Sequence, residues 1–216
     1  MCYDINGDFM RLRNLKNKET IIDSSNYVIK NYKDYIGSWK SVFNNDNPIY
    51  IEIGMGRGKF IVENALKNPN INYIGIEKQD NIIARSLLWI PEDIPNLKII
   101  RMNALEIDEV FKNEIDCLYL NFSDPWPKVR HNRRRLTSKI FLDKYDSILK
   151  SNSIICLRTD NEPLYTYSIE TLSEHGYSLY DVTFDLHRDF SNLITTEYED
   201  KFNSMGNKIY ALKARK

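Results

Sequence analysis

The 216-residue chain lacks several features that define whole classes of protein. No apolar run approaches the ~20 residues that a membrane-spanning helix requires, and the N-terminal stretch has no apolar segment typical of a secretion signal. The three cysteines, Cys2, Cys117 and Cys156, are odd in number and lack the spacing of metal ligands or of a disulfide framework. We therefore expect a cytoplasmic protein that needs no membrane, no metal and no disulfide.

The chain also lacks net charge, because 30 basic residues balance 30 acidic ones. This balance conceals a segregation of charge. Six basic residues and no acidic residue lie between Lys128 and Lys139, which leaves 24 basic and 30 acidic residues elsewhere. Since local charge rather than the total sets the field that a polyanion meets, this segment predicts a surface for nucleic acid or phosphate.

What the chain does contain is a regular alternation of apolar runs and helical patterns, which is typical of buried parallel strands with intervening helices. The last two strands have only a loop between them and should be antiparallel. The sequence predicts one doubly wound α/β domain over residues 46–216, preceded by an N-terminal extension over residues 1–45. The predicted strands cover residues 49–54, 72–77, 97–102, 115–122, 153–160, 177–186 and 207–214. The predicted helices cover residues 25–35, 58–68, 81–90, 137–150 and 162–175.

The first predicted strand leads into a glycine-rich turn, EIGMGRGKF. Gly54, Gly56 and Gly58 would let the backbone approach a ligand closely. Their spacing departs from the G-x-G-x-x-G pattern of dinucleotide sites, and Glu52 precedes the first glycine by two residues. A carboxylate there would repel a pyrophosphate and would suit a cationic ligand such as S-adenosylmethionine, which has a sulfonium and an ammonium group.

Two further polar residues follow the next strands at the same predicted edge. Glu77 could accept hydrogen bonds from both ribose hydroxyls of an adenosine cofactor, or be solvated surface. Asn103 could pair with an adenine edge, or cap a helix. Together with the glycine turn these positions predict an adenosine-cofactor site, and Glu52 favours S-adenosylmethionine over NAD.

The fourth strand leads into NFSDPWPKVRHNRRRL. Pro125 and Pro127 fix φ and stiffen the loop that holds Asp124. The guanidinium groups that follow, placed before a helix start, are suited to binding phosphate. The alternative interpretation is an ordinary turn followed by a solvated basic surface. We interpret the segment as a carboxylate beside a phosphate-binding run.

The chain from about Arg11 to its C-terminus resembles the bacterial tRNA (guanine-N7-)-methyltransferase family. The resemblance depends on EIGMGRGKF, GIE, RTDNEPL, TEYE and, most specifically, NFSDPWPKVRHNRRRL. It implies a Rossmann-like class I methyltransferase fold, with a seven-stranded, mostly parallel sheet, an antiparallel last strand and helices on both faces. It also implies methyl transfer from S-adenosylmethionine to N7 of a guanine in the tRNA variable loop, which gives 7-methylguanosine.

The resemblance places Asp124 both in the catalytic centre and in the cofactor site. It implies that Glu52, Glu77 and Asn103 line the cofactor site around the three glycines of the turn. The implied substrate contacts are Lys128, Asp160, Thr196, Glu197, Tyr198 and Glu199. The implied tRNA-binding run is Arg130, His131, Asn132, Arg133, Arg134 and Arg135. Two positions depart from the family pattern, since Asn103 replaces a usual Asp and Arg133 replaces a common Lys.

Guanine N7 has a free lone pair and no proton at neutral pH, so the reaction requires no general base. Catalysis should then depend on in-line placement and electrostatics, and a fixed carboxylate at Asp124 would favour the positive charge that arrives on the ring. We expect tRNA as partner, a monomer or homodimer, and an RNA-closing arm formed by Arg11, Arg13, Lys16 and Lys18. An RNA-binding module without chemistry is one alternative. An NAD-dependent oxidoreductase is another, which Glu52 and the glycine spacing disfavour.

Overall fold

The computed structural model describes residues 14–216, so Arg11 and Arg13 of the predicted arm lie outside the described residues. Seven strands form one sheet in the spatial order β3-β2-β1-β4-β5-β7-β6. Neighbouring strands are parallel except β7, which is antiparallel to both β5 and β6. The predicted sheet is therefore confirmed. Its strands are β1 Ile49–Ile53, β2 Asn72–Glu77, β3 Leu97–Arg101, β4 Ile115–Asn121, β5 Leu149–Thr159, β6 Ser178–Thr183 and β7 Tyr210–Arg215.

Helices follow the strands in the alternating pattern that the sequence predicts. The α-helices are α1 Lys18–Asp23, α2 Lys40–Phe43, α3 Lys59–Lys67, α4 Asp80–Leu87, α5 Lys139–Ile148, α6 Glu162–Glu174, α7 Leu186–Asp189 and α8 Glu197–Ser204. Short 3-10 helices cover Tyr32–Tyr35, Ala104–Glu109 and Val129–Arg134. Within residues 14–216 no helix has the length and apolar character to span a bilayer.

Alternate side chains of the central strands enter two separate apolar cores. Ile49, Ile51 and Ile53 of β1 lie in the larger core, whereas Tyr50 packs against the smaller one. Because successive strand residues point to opposite faces, the two cores lie on opposite sides of the sheet. The larger core includes residues of α2, α5 and α6, and the smaller core includes residues of α1, α3 and α4. This two-sided burial explains why the central strands are apolar throughout.

The helix predicted over residues 25–35 is wrong. Val28 instead forms a parallel bridge with Ile99 of β3, and the Ile29 N–H donates to the Ile99 carbonyl at 2.9 Å. Only Tyr32–Tyr35 is helical, as a 3-10 turn. β-Branched residues at 28 and 29 pair well with the open edge of β3, so tertiary pairing overrides the local helical spacing.

The connection before the last strand also differs from the prediction. Residues 184–209 contain α7 and α8 rather than a plain loop. The predicted antiparallel pairing of β6 and β7 is nevertheless confirmed, because β7 enters the sheet between β5 and β6. The polar sequence of α8 gives little apolar periodicity, which is the signal on which helix prediction depends.

The described part of the N-terminal extension packs against the sheet domain. Trp39 is fully buried in the larger core, and its indole N–H donates to the Val110 carbonyl at 2.9 Å. The Glu114 carboxylate accepts from the backbone N–H groups of Gly37 and Trp39, at 2.9 and 3.0 Å. The boundary at residue 45 stays a prediction.

The strand order brings the predicted site residues to one edge. The carboxyl ends of the parallel strands β1 to β5 lie on the same side of the sheet, and β1 and β4 are neighbours although β2 and β3 intervene in the chain. A ligand crevice is expected at such a switch in strand order. Glu52 near the end of β1 and Asn121 at the end of β4 lie at this switch.

Candidate active site

The turn after β1 has an open face above its backbone. Gly54 and Gly56 have φ of +77° and +57°, a region that side-chain-bearing residues rarely adopt. The N–H groups of Gly54 and Met55 both donate to the Ile76 carbonyl of β2, at 2.8 and 3.0 Å, which fixes the turn. A Cβ atom placed on Gly54 or Gly56 would meet no atom within 4 Å. The glycines are therefore needed for backbone conformation, and the space above them can admit a ligand.

Glu52, two residues before Gly54, is buried, with 1% of its surface exposed. Its Oε1 accepts from the Asn121 amide at 2.8 Å, whereas Glu52 Oε2 and Asn121 Oδ1 have no partner within residues 14–216. Burial raises the pKa of Glu52 to about 8, against the opposing effects of the Asn121 hydrogen bond and the Arg158 charge. The carboxyl group therefore holds its proton at neutral pH until a cation approaches it.

The unpartnered oxygens define the kind of ligand that the crevice can accept. When Glu52 is ionised, its Oε2 and Asn121 Oδ1 are two buried acceptors that require donors. A cation that donates hydrogen bonds would satisfy them and favour the ionised carboxylate, whereas a phosphate would do neither. The donor set thus fits an ammonium-bearing ligand. Within the described part of the chain no group of three or more His, Cys, Asp or Glu side chains is arranged to hold a metal ion.

Glu77 and Asn103 extend the site along the ends of β2 and β3. Burial raises the pKa of Glu77 above its usual range, although backbone N–H groups of Gln79, Lys78 and Gly56 oppose that shift. Asn103 Oδ1 accepts from the Leu105 N–H at 3.1 Å and so caps the 3-10 helix that follows. The cap uses only the amide oxygen, so the NH₂ group of Asn103 does not take part in it.

The loop after β4 is strained and clamped. Phe122 and Trp126 have φ of +50° and +42°, a costly conformation that the surroundings must enforce. The buried Arg135 donates to the carbonyls of Pro125 and Trp126 at 3.0 and 3.2 Å, and its guanidinium lies 4.3 Å from the ring centroid of Tyr167. This arginine therefore holds the half-buried Asp124 in place from beneath the loop.

The basic run divides into two kinds of side chain. Arg135 is buried and used by the loop, whereas the cations before it are exposed. Arg134 lies 4.8 Å from the Trp126 ring centroid, and the His131 ring meets Trp126 edge to face. The exposed cations are Lys128, Arg130, Arg133 and Arg134. They present a positive surface beside Asp124.

The predicted substrate residues that follow β5 are held by hydrogen bonds to one another and to β5. The Tyr198 hydroxyl donates to Asp160 Oδ2 at 3.0 Å. Thr196 and Glu199 form the capping box at the start of α8, with the Glu199 N–H donating to Thr196 Oγ1 at 2.9 Å. The Glu199 side chain is fully buried and accepts from Arg158 Nη1 at 3.0 Å, so it faces Arg158 rather than solvent. Glu197 is exposed.

Sequence reasoning missed two residues of the site, Asn121 and Arg158. They are paired in register on β4 and β5, and both interact with buried carboxyl groups, Glu52 and Glu199 respectively. A signal was present for each. Asn121 is a polar residue at the end of an apolar strand, and Arg158 is a charge inside the run IICLRTD. Buried charges are rarely found without a partner.

Known proteins are similar to this chain over most of its length. Residues 46–212 match a family model described as a putative methyltransferase. The tRNA (guanine-N(7)-)-methyltransferase of Lachnoclostridium phytofermentans is 46% identical over 95% of this chain and 98% of its own. The protein of the same name from Bacillus cytotoxicus is 46% identical over 91% of this chain and 92% of its own.

Solved structures show the same fold at low sequence identity. An antibiotic-related methyltransferase has a TM-score of 0.60 at 20% identity and covers 84% of this chain and 92% of its own. The 16S rRNA methyltransferase KamB has a TM-score of 0.62 at 12% identity and covers 82% and 91%. At these identities the likeness establishes the methyltransferase fold and nothing finer.

We expect Glu52→Gln to stabilise the protein at alkaline pH. Between the ordinary pKa of 4.5 and about 8, the folded state keeps a proton that the unfolded state has released. Stability therefore falls as pH rises through that window, by up to ~1.4 kcal/mol per pH unit, and glutamine removes this loss. Thermal melts from about pH 5 to pH 9 should show the Tm of the variant exceeding wild type increasingly with pH. The exposed Glu92→Gln is the matched control, and parallel curves for wild type and Glu52→Gln would contradict the buried neutral carboxyl.

Proposed function

The chain belongs to the bacterial tRNA (guanine-N7-)-methyltransferase family, and on that premise we propose that it takes the methyl group from S-adenosylmethionine and places it on a variable-loop guanine. The observation that carries the choice of donor is the buried Glu52–Asn121 pair, which has two unpartnered oxygens at the ends of β1 and β4, where β1 leads into the open glycine turn. The ionised form of this pair requires donors, and the ammonium group in the methionine part of S-adenosylmethionine would supply them and favour the ionised carboxylate. A cytoplasmic location and a monomeric or homodimeric state stay predictions.

The residues that would hold the cofactor follow the strand ends. Glu52 and the backbone of Gly54 to Gly58 would hold the methionine part, Glu77 the ribose hydroxyls, and Asn103 the adenine edge. When bound, the cofactor supplies a methyl group on a positively charged sulfur. Asn103 keeps an acceptor oxygen where relatives usually have Asp, but that oxygen also caps the helix that follows.

The reacting guanine needs placement more than proton transfer. Its N7 lone pair would accept the methyl group that the cofactor supplies, the sulfur would leave as a neutral thioether, and positive charge would arrive on the purine ring. Asp124 would favour that charge and accept a hydrogen bond from the guanine N1–H or amino group. The Arg135 clamp fixes the Asp124 loop in advance, so little reorganisation is required during the reaction.

The exposed cations would hold the tRNA backbone next to this centre. Lys128, Arg130, Arg133 and Arg134 are exposed on the segment that follows Asp124. Guanidinium groups bind phosphate in a fixed, two-pronged geometry. A guanine inside folded tRNA must be exposed before its N7 can reach the cofactor, and backbone contacts on this surface would help to hold it there.

The function is tested by nucleoside mass spectrometry of unmodified tRNA incubated with the purified protein and S-adenosylmethionine. We expect 7-methylguanosine, with the modified base mapped to the variable loop by nuclease fragments. Methylation of another guanine atom, of another loop, or of none would overturn the proposal.

We expect Asp124→Asn to lower kcat by roughly 10²–10³-fold, because it removes the charge that stabilises the cationic ring while keeping the shape of the side chain. The Kd for tRNA should stay within about twofold, as Asp124 is not among the phosphate-binding cations. Asp46→Asn is the control, since the Asp46 side chain is 99% exposed and precedes β1 at the opposite edge. Near-normal turnover of Asp124→Asn would exclude the catalytic role.

The two kinds of arginine in the basic run should respond differently to removal. Replacing exposed Arg133 and Arg134 together with Ala should flatten the dependence of log K on log salt by about two units, one for each phosphate contact. Arg135→Ala should leave that slope unchanged but lower the Tm and kcat, because it releases the Asp124 loop. An unchanged slope in the double variant would exclude those two arginines from the tRNA surface.

A further inference from the structure

Helix α8 is joined by ion pairs to the elements that build the cofactor side of the site. Three acids of its first turn each meet a cation on another element. Glu197 Oε2 lies 3.6 Å from Arg57 Nε in the glycine turn, and Glu199 Oε2 lies 3.0 Å from Arg158 Nη1 on β5. Asp200 is paired with Lys59 at the start of α3. Helix α8 also carries Tyr198, which binds Asp160.

The central pair, Arg158–Glu199, is shielded from solvent on its carboxylate side, and the Arg158 charge also acts on Glu52. The Glu199 side chain is fully buried and that of Arg158 is 17% exposed. Arg158 also donates to the Ile194 carbonyl at 2.8 Å, and its guanidinium lies 5.3 Å from the Phe60 ring centroid in α3. Its charge acts on Glu52 as well, where it lowers the pKa against the effect of burial. Arg158 is thus paired directly with Glu199 and acts on Glu52 through its charge.

The outer pairs are partly exposed and act together. Lys59 Nζ also donates to Thr195 Oγ1 at 3.3 Å, and that hydroxyl donates to Asp200 Oδ1 at 2.6 Å. One exposed ion pair contributes only ~0–1 kcal/mol to stability. Pairs that join α8 both to the glycine turn and to the start of α3, which directly follows that turn, nevertheless restrict the position of α8 more than any one pair does.

We propose that these ion pairs make the glycine turn and helix α8 one coupled unit. In this unit Arg57 and Lys59 are positioning residues for α8, which carries the predicted substrate residues Glu197, Tyr198 and Glu199. A cofactor that orders the glycine turn then also orders α8 and favours binding of the guanine. By reciprocity, a substrate that orders α8 raises the affinity for the cofactor by the same factor. This inference depends on the proposed function for the identity of the two ligands, but the coupling itself can be measured without the reaction.

The coupling is tested by charge exchange between Lys59 and Asp200. The variants are Lys59→Glu, Asp200→Lys and the double exchange, with Lys67→Glu as matched control, because Lys67 is exposed at the far end of α3. Hydrogen exchange at amides 197–204 is followed with and without S-adenosylhomocysteine. In wild type and Lys67→Glu we expect the ligand to slow this exchange about tenfold, which corresponds to ~1.4 kcal/mol of coupling. Each single reversal should abolish most of this protection and the double exchange should restore it.

Kinetics with tRNA supply a second measurement. The single reversals should lower kcat/KM for tRNA about tenfold, and the double exchange should return it to within about twofold of wild type. The coupling is overturned if S-adenosylhomocysteine does not slow exchange at amides 197–204 in wild type. It is also overturned if the ligand slows this exchange equally in wild type and in both single reversals. If Lys59→Glu does not fold, Asp200→Asn replaces it, because it removes the same ion pair without introducing repulsion. The same loss of protection at amides 197–204 and the same fall in kcat/KM are then expected of Asp200→Asn.

The outcomes for the coupling and for the proposed function are separable. Wild-type protein that shows ligand-dependent protection of α8 but forms no 7-methylguanosine supports the coupling and overturns the function. Wild-type protein that methylates tRNA but shows no such protection supports the function and overturns the coupling.

Discussion

A carboxyl group buried at the switch in strand order constrains the rest of the site. Glu52 lies within a parallel strand that is covered on both faces, where an unpaired charge is costly. The Asn121 amide satisfies one of its oxygens, and the other has no partner within residues 14–216. The glycines of the turn after β1 have positive φ, a conformation that side-chain-bearing residues rarely adopt. A side chain at Gly54 or Gly56 would also occupy the open space that a ligand could use. The proposed preference for a cationic cofactor follows from the burial of this single carboxyl group.

Around that group the site is built from two arginines that are not available to a substrate. Arg135 holds the Asp124 loop, and Arg158 holds Glu199 at the start of α8. Arg135 is buried and Arg158 is half-buried, and each binds groups that would otherwise be strained or uncompensated. The exposed cations are left for phosphate. The same residue type thus has a structural role beneath the site and a proposed binding role on its surface, and the two groups differ in burial.

The sequence carries the sheet and the order of the strand-end residues, because apolar runs and glycine turns are local signals. The strand order and the edge that gathers Glu52, Glu77, Asn103 and Asp124 follow from general rules for parallel sheets. Which of the charged side chains are buried could not be predicted from the local sequence. Nothing local distinguishes Arg135 from Arg134, or reveals that Glu199 of the TEYE segment turns inward to Arg158. The start of α8 was readable from its T-x-x-E capping box, although its polar composition concealed the helix. The pairing of Val28 with Ile99 depends on an edge that exists only in the folded sheet.

The central claim is that Glu52 is neutral in the free protein and becomes charged when the cofactor binds. Calorimetric titration with S-adenosylmethionine at neutral pH, in buffers of different ionisation enthalpy, counts the protons exchanged on binding. Wild type should release about one proton more than Glu52→Gln, because burial holds the pKa of the free carboxyl near 8 and the cation lowers it. Equal proton release from the two proteins would contradict the account.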